Sequence, residues 1–245
     1  MALAVAAFVT VLAAAFRGIT GYGYALIAAL GLAAFLAPTE LVPLILVNDL
    51  AITVLILLDR KHGAVDWSVA GWLLAAGFAG AIVGGTLSGF LDEATARMLI
   101  AAVVLVAALV ALVREPPAFL ASRGFGVAIG FVVGVALGAF GVGGPLIAAW
   151  ILAGGTKRQA VRGTLAVFFG AVDLFGIATH AALGHIGSEL FTLLLFCLPL
   201  TLAGYGIGYV VHKRLSPAAW HRISTGGLVA IALVGAIQTA QLLIT

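Results

Sequence analysis

Apolar runs separated by short polar gaps fill this chain: 2–16, 24–37, 41–58, 67–90, 94–113, 124–137, 145–154, 162–183, 190–211 and 218–244. Asp49 and Asp173 are the only acidic residues inside them. Charged residues make up 9% of the sequence, against the roughly 25% with which soluble domains cover their surface. In lipid every backbone N–H and C=O must be satisfied within the chain, and a continuous helix does this. The fold class read from the pattern is an all-α polytopic membrane protein.

Six of these runs are near or above the ~20 residues that cross a ~30 Å hydrocarbon core at 1.5 Å per residue. The four that flank two glycine-rich stretches are shorter, and 145–154 would make only about 15 Å of helix, half a bilayer. A re-entrant hairpin fits that length. Non-helical backbone at such depth is tolerated only against protein or a water-filled cavity, so the glycine stretches are also where a site is expected.

Those stretches are Gly18-Ile19-Thr20-Gly21-Tyr22-Gly23-Tyr24 and Gly138-Ala139-Phe140-Gly141-Val142-Gly143-Gly144, 120 residues apart. With four residues inserted around Lys157-Arg158, the offset becomes 124, which aligns Asp49 with Asp173 and Ala79-Gly80 with Ala203-Gly204. The chain therefore reads as a duplication. The first repeat is 1–115, with a hairpin at 2–37 and helices at 41–58, 67–90 and 94–113. The second is 116–245, with a hairpin at 124–154 and helices at 162–183, 190–211 and 218–244.

Positive charge concentrates in cytoplasmic loops, which discriminates between topologies. If each glycine stretch is a kinked single span, the loops divide into Arg97, Lys157, Arg158, Arg162, Lys213, Arg214 and Arg222 against Arg60, Lys61, Arg114 and Arg123. If each is a hairpin, all of these except Arg97 fall on one side. The hairpin topology makes each half an odd-crossing unit, so the two repeats are inverted. It also predicts extracytoplasmic termini. The stretch before Arg17 lacks the basic n-region of a signal peptide and feeds a motif that recurs at Gly138, so it is read as mature protein.

Asp49 and Asp173 lie about 12–17 Å into their runs, near the middle of the core. Intramembrane ionisable residues commonly relay protons, and these two are assigned to proton coupling; the plain alternative is that each is a protonated structural hydrogen-bonder. Arg17 presents a planar fork suited to an oxyanion. Its alternative roles are to neutralise the carbonyl end of its own helix or to pair with Asp49. Gly21, Gly23, Gly141, Gly143 and Gly144, with Pro145 next, read as turns that open return helices, whose free N–H groups would face an anion at the midplane. Close packing by small residues is the alternative. Thr20 and Asn48 complete the predicted binding set. Thr53 and Thr164 are further neutral donors, although such side chains often bond their own backbone.

The remaining chemistry-bearing residues carry little. His180 and His185 read as exposed loop histidines, Trp67, Trp150 and Trp220 as interface anchors, and Cys197 as core packing. No metal-ligand spacing, nucleophile signature, phosphate loop or dinucleotide fingerprint is present, so neither metal, cofactor nor enzymatic activity is expected. The net charge of +3 is accounted for by loops and implies no nucleic-acid partner.

The two glycine motifs, Arg17-Gly18-Ile19-Thr20-Gly21-Tyr22-Gly23 and Gly138-Ala139-Phe140-Gly141-Val142-Gly143-Gly144-Pro145, resemble those of the TauE/SafE sulfite exporter family, also called TSUP membrane transporters, and the resemblance covers essentially the whole chain. It implies transport of small sulfur-containing anions such as sulfite, sulfonates or sulfoacetate. The reading is a secondary transporter in the cell inner membrane, coupled to protons and working by alternating access. An uncoupled anion channel using the same midplane cavity is the alternative. Substrate anion, protons and the bilayer are the expected partners, and a homo-oligomer is compatible with the reading.

Overall fold

The computed structural model describes residues 2–33, 35–59, 65–88, 90–92, 95, 98–99, 102, 106, 122–141, 143–144, 147, 150, 158–216, 218–220, 222–223, 226–227, 230, 234 and 237. Among them there are seven helices and no strand: α1 Ala2–Thr20, α2 Tyr24–Leu32, α3 Pro38–Leu58, α4 Trp67–Ser88, α5 Arg123–Phe140, α6 Arg158–Ala182 and α7 Ser188–Arg214. Five of them, α1, α3, α4, α6 and α7, are long and apolar enough to cross a membrane. Most residues of the predicted helices at 94–113 and 218–244, and most of the 145–154 return arm with Pro145, lie outside the described residues.

Exposed side chains on these helices are large and apolar, Leu195, Phe8, Phe191 and Ile207 among them. A lipid-facing surface has this composition. The polar groups lie inside instead: Arg17, Asp49 and Asp173 are each 2% exposed or less.

Both glycine stretches reverse the chain. A Cβ added at Gly31 of α2 would lie 2.6 Å from Val9 of α1, so α2 lies back along α1. In the same way a Cβ at Gly126 of α5 would meet Trp150 at 2.4 Å. The break comes later than the sequence pattern suggests. Gly18, Ile19 and Thr20 complete α1, and Gly138, Ala139 and Phe140 complete α5. Positive φ begins only at Gly21 (91°) and Gly141 (68°), with Gly23 also at 92°. The first arms are thus 19 and 18 residues long. The reason is that Gly18 and Gly138 serve packing: a Cβ would stand 2.6 Å from the Tyr205 carbonyl oxygen and 2.4 Å from that of Ala81, respectively.

These contacts recur at the repeat offsets. On α4, a Cβ at Gly80 would meet Phe131 O at 2.1 Å and one at Gly84 would meet Val135 O at 2.1 Å. On α7, Gly204 faces Val11 O at 2.5 Å and Gly208 faces Ala15 O at 2.1 Å. Each α7 glycine lies 124 residues after its α4 counterpart, and each facing residue lies 120 residues before. So α1 packs on α7 as α5 packs on α4, while α3 and α6 pack on each other between them.

Polar contacts hold helix ends together. The Tyr209 hydroxyl of α7 donates to Asp59 just after α3. Before α4, the Asp66 N–H donates to Thr164 Oγ1 of α6 at 3.0 Å. Asp66 also caps α4, accepting from the Ser68 and Val69 N–H groups at 3.1 and 3.3 Å and from the Ser68 hydroxyl at 2.5 Å.

Candidate functional site

Arg17 sits in the last turn of α1, with its guanidinium turned inward onto α3. Nη1 lies 2.6 Å from Asp49 Oδ1, and Nη2 donates to Thr53 Oγ1 at 2.7 Å. Asp49 and Thr53 are four residues apart on one helix and so share a face. The fork straddles them. The guanidinium carbon lies 5.3 Å from the centre of the Phe169 ring of α6, within range of a cation–π attraction. Nε is buried and has no partner among the described residues.

Asp173, on α6, is fully buried and lies on the α3–α6 contact opposite Asp49, between Gly170 against Thr53 and Gly176 against Leu46. Neither oxygen of Asp173 has a hydrogen-bond partner among the described residues. Asp49 and Asp173 are 124 residues apart, the same offset as between Gly80 and Gly204 and between Gly84 and Gly208.

The glycine turns meet beside these residues. A Cβ on Gly144 would lie 3.6 Å from Phe169 Cζ, 3.7 Å from the Gly23 nitrogen and 3.8 Å from Tyr22 Cβ. Phe169 therefore touches both the Arg17 cation and the second turn. Gly23, in the left-handed region, is the N-cap of α2, with no side chain satisfying that helix end. The first N–H groups of such an end have no intrahelical acceptor.

The other predicted site residues have different surroundings. Thr20 Oγ1 lies 2.8 Å from Phe16 O and 2.6 Å from Tyr22 O and accepts from the Tyr22 N–H at 3.2 Å, so it shapes the first turn. Asn48 Nδ2 donates to Leu44 O at 2.8 Å, while its Oδ1 accepts from Thr201 Oγ1 at 2.8 Å. The same Thr201 hydroxyl lies 3.4 Å from the Tyr24 hydroxyl, so Asn48 belongs to a buried polar chain joining α3, α7 and α2. Gly141 packs against Ile45 and Val42 of α3, and Gly143 against Val133 and Leu137 of α5.

Sequence reasoning left Phe169 and Thr201 out altogether and carried Tyr24 only as part of the first glycine motif. Nothing in a neutral residue within an apolar run announces a partner from another helix. Thr53 was readable as the helical i+4 neighbour of Asp49. His180 is a correction: it is 1% exposed, with Nε2 3.1 Å from Gly138 O and Nδ1 2.9 Å from His185 Nδ1. The bare carbonyls that end α5 require a partner, and this imidazole supplies one. Trp150 is likewise buried, edge-to-face with Trp72 at 5.1 Å, and the Trp220 indole N–H donates to Ile19 O at 2.9 Å. Trp67 is 67% exposed. Among the described residues no group of three His, Cys, Asp or Glu could hold a metal ion.

Apolar spanning helices around one buried cation and two buried carboxyl groups define a multi-pass helical membrane protein with an ionisable centre. The chain matches the family model described as Sulfite exporter TauE/SafE over residues 6–235, and it belongs to that family of membrane transporters. Neither a curated protein nor a solved structure matches it.

Proposed function

We propose that the protein is a secondary transporter of small sulfur-containing anions, of the sulfite, sulfonate and sulfoacetate class, working by alternating access and driven by protons. The observation that carries this reading is the Arg17–Asp49–Asp173 cluster at the meeting point of the two glycine turns. Arg17 is the anion ligand. Gly144, where a Cβ would meet nothing nearer than 3.6 Å, leaves room for a small oxyanion to approach the free N–H groups at the start of α2. Gly21, Gly141, Gly143 and Thr20 shape the turns, and Asn48 acts from behind through Thr201 and Tyr24. Asp49 and Asp173 carry the coupling proton.

The matching glycine contacts support two inverted repeats with re-entrant hairpins, an architecture that places transporter sites at the repeat interface and moves one bundle against the other. The Asp59–Tyr209 and Asp66–Thr164 bonds join the end of α3 to the basic end of α7 and the residue before α4 to the first turns of α6. The hairpin topology requires those segments to share a face, which the positive-inside rule makes cytoplasmic in the inner membrane.

The test is uptake into proteoliposomes under an inward proton gradient. Saturable sulfite or sulfonate accumulation above equilibrium is expected, and the Asp49→Asn/Asp173→Asn variant should lose it. Retention of gradient-driven accumulation by the double variant removes the carboxyl groups from coupling. Non-saturating flux without proton movement would identify a channel.

A further inference from the structure

The end of α6 is built to set one histidine on another. Gly184 lies in the left-handed region at φ 76°, its N–H donates to Ala181 O at 3.0 Å, and the His185 N–H donates to His180 O at 2.9 Å. This is a Schellman ending, in which the residue after the glycine meets the first residue of the motif, ordinarily through apolar side chains. Here imidazoles occupy both positions, with ring centres 5.2 Å apart and one Nδ1 2.9 Å from the other. His180 is buried with Nε2 3.1 Å from Gly138 O, whereas His185 is half-buried in the turn. Gly138 lies three residues before Gly141, so these contacts run from the end of α6 to the second glycine turn.

Chemistry assigns the donors. A carbonyl only accepts, so His180 Nε2 carries a hydrogen; the neutral ring then accepts at Nδ1, and His185 Nδ1–H donates to it. A proton from solution adds to His185 at Nε2. The contact stays in place and becomes a charge-assisted bond, while His180 remains neutral in its buried position. Imidazole is the side chain whose charge ordinarily changes between about pH 5 and 8. On the elements packed against α6, α4 carries no titratable residue, α5 has Arg123 at its far end, and α3 has Glu40 at its start and Asp49 in its middle. Asp173 lies about two turns inward on α6 itself, and Glu189 is in the first turn of α7. His185 is the group whose charge bears on His180.

Resting on the transporter reading above, we propose that His180 and His185 are positioning residues that clasp the second glycine turn from the extracytoplasmic face, and that a proton taken up by His185 tightens the clasp. In the hairpin topology the Gly184 turn faces that side, so the clasp answers to outside pH. Release of the Gly138 carbonyl frees the stretch that carries Gly141, Gly143 and Gly144. A tightened clasp favours the arrangement in which Gly144 lies beside Phe169 and Gly23, next to Arg17.

The experiment labels Gly144→Cys in intact cells with a membrane-impermeant thiol reagent at an external pH of about 8 and of about 6. Each rate is divided by that of the exposed Ser188→Cys, which carries the pH dependence of the thiol reaction itself. The ratio should fall about fivefold in acid, the factor that separates a hydrogen bond to a charged group from a neutral one. His185→Gln can donate but takes up no proton, so its ratio should not change with pH; His185→Lys, a permanent cation, should hold the low ratio throughout. A ratio that rises in acid, a fall that survives in His185→Gln, or no labelling of Gly144→Cys at either pH overturns the clasp. If His185→Gln does not reach the membrane, His185→Lys decides alone, and a fall retained there overturns it. Counterflow of sulfite, methanesulfonate or sulfoacetate in proteoliposomes separates the two readings. A ratio that depends on His185 without exchange of any of these anions leaves the clasp standing and overturns the transporter reading; exchange with a ratio indifferent to His185 does the reverse.

Discussion

Removal of the Arg17 guanidinium would leave Asp49 and Asp173 facing each other with no cation beside them among the described residues. Breaking a buried ion pair from one side costs about 3–5 kcal/mol, because the remaining charge is uncompensated. Arg17→Ala should therefore lower the unfolding temperature in detergent markedly, and adding Asp49→Asn should recover much of the loss. Strict additivity of the two changes would show that the pair is not coupled. All three charged residues were legible in the sequence, because a charge inside or beside an apolar run stands out whatever the fold. The arrangement was not. Thr53 and Phe169 matter only through a guanidinium brought from another helix, and their own positions look like ordinary membrane-helix residues.

Helices here approach each other through glycine, and the consequences are specific to position. Gly84→Ala and Gly208→Ala would each place a Cβ 2.1 Å from a carbonyl oxygen, of Val135 and Ala15 respectively. Backbone cannot move aside as a flexible side chain does, so each should destabilise by about 1–3 kcal/mol, as overpacking does. Gly206→Ala on the same α7 meets nothing within 4 Å and should stay within about 1 kcal/mol of wild type. Thermal unfolding of the three variants decides it, and equal stabilities would refute the packing role. The sequence showed that these glycines repeat. It could not separate the packing glycines, Gly18 and Gly138, from the turn glycines, Gly21 and Gly141, since that distinction rests on which carbonyl lies opposite.

At the start of α4 the Asp66 carboxyl is held below the usual carboxylate range, chiefly by the Ser68 hydroxyl and further by the Ser68 and Val69 N–H groups. A folded-state pKa below the unfolded value means that the cap stabilises fully above the ordinary carboxylate range. That stabilisation is lost as pH falls through the lower folded value. Asp66→Asn should thus be less stable than wild type near neutrality, with the difference shrinking in acid. A gap in unfolding temperature that stays constant with pH would show that the carboxylate form is not what stabilises α4.

For the whole molecule, the deciding relation is between the length of α7 and the side on which its ends emerge. Its 27 residues span about 40 Å, more than the hydrocarbon core, so Ser188 and Arg214 belong on opposite faces. The basic end, His212, Lys213 and Arg214, is tied to α3 through Tyr209 and Asp59, with the Lys213 ammonium 4.1 Å from the centre of the Tyr209 ring. That link puts the end of α3 on the face of Arg214, as hairpins require and kinked single spans forbid. The loop charges favoured the hairpin topology in the sequence, and the Tyr209–Asp59 contact supports that reading; residues 60–64 lie outside the described residues. Ser188 and Ser216 are both exposed, and each accepts cysteine with little change in size. A membrane-impermeant thiol reagent applied to intact cells should modify Ser188→Cys and leave Ser216→Cys unmodified until the membrane is opened. Cys197 is buried and should stay silent in both. Labelling of both positions from one side would overturn the single crossing of α7, and the reverse order would overturn the cytoplasmic placement of its basic end.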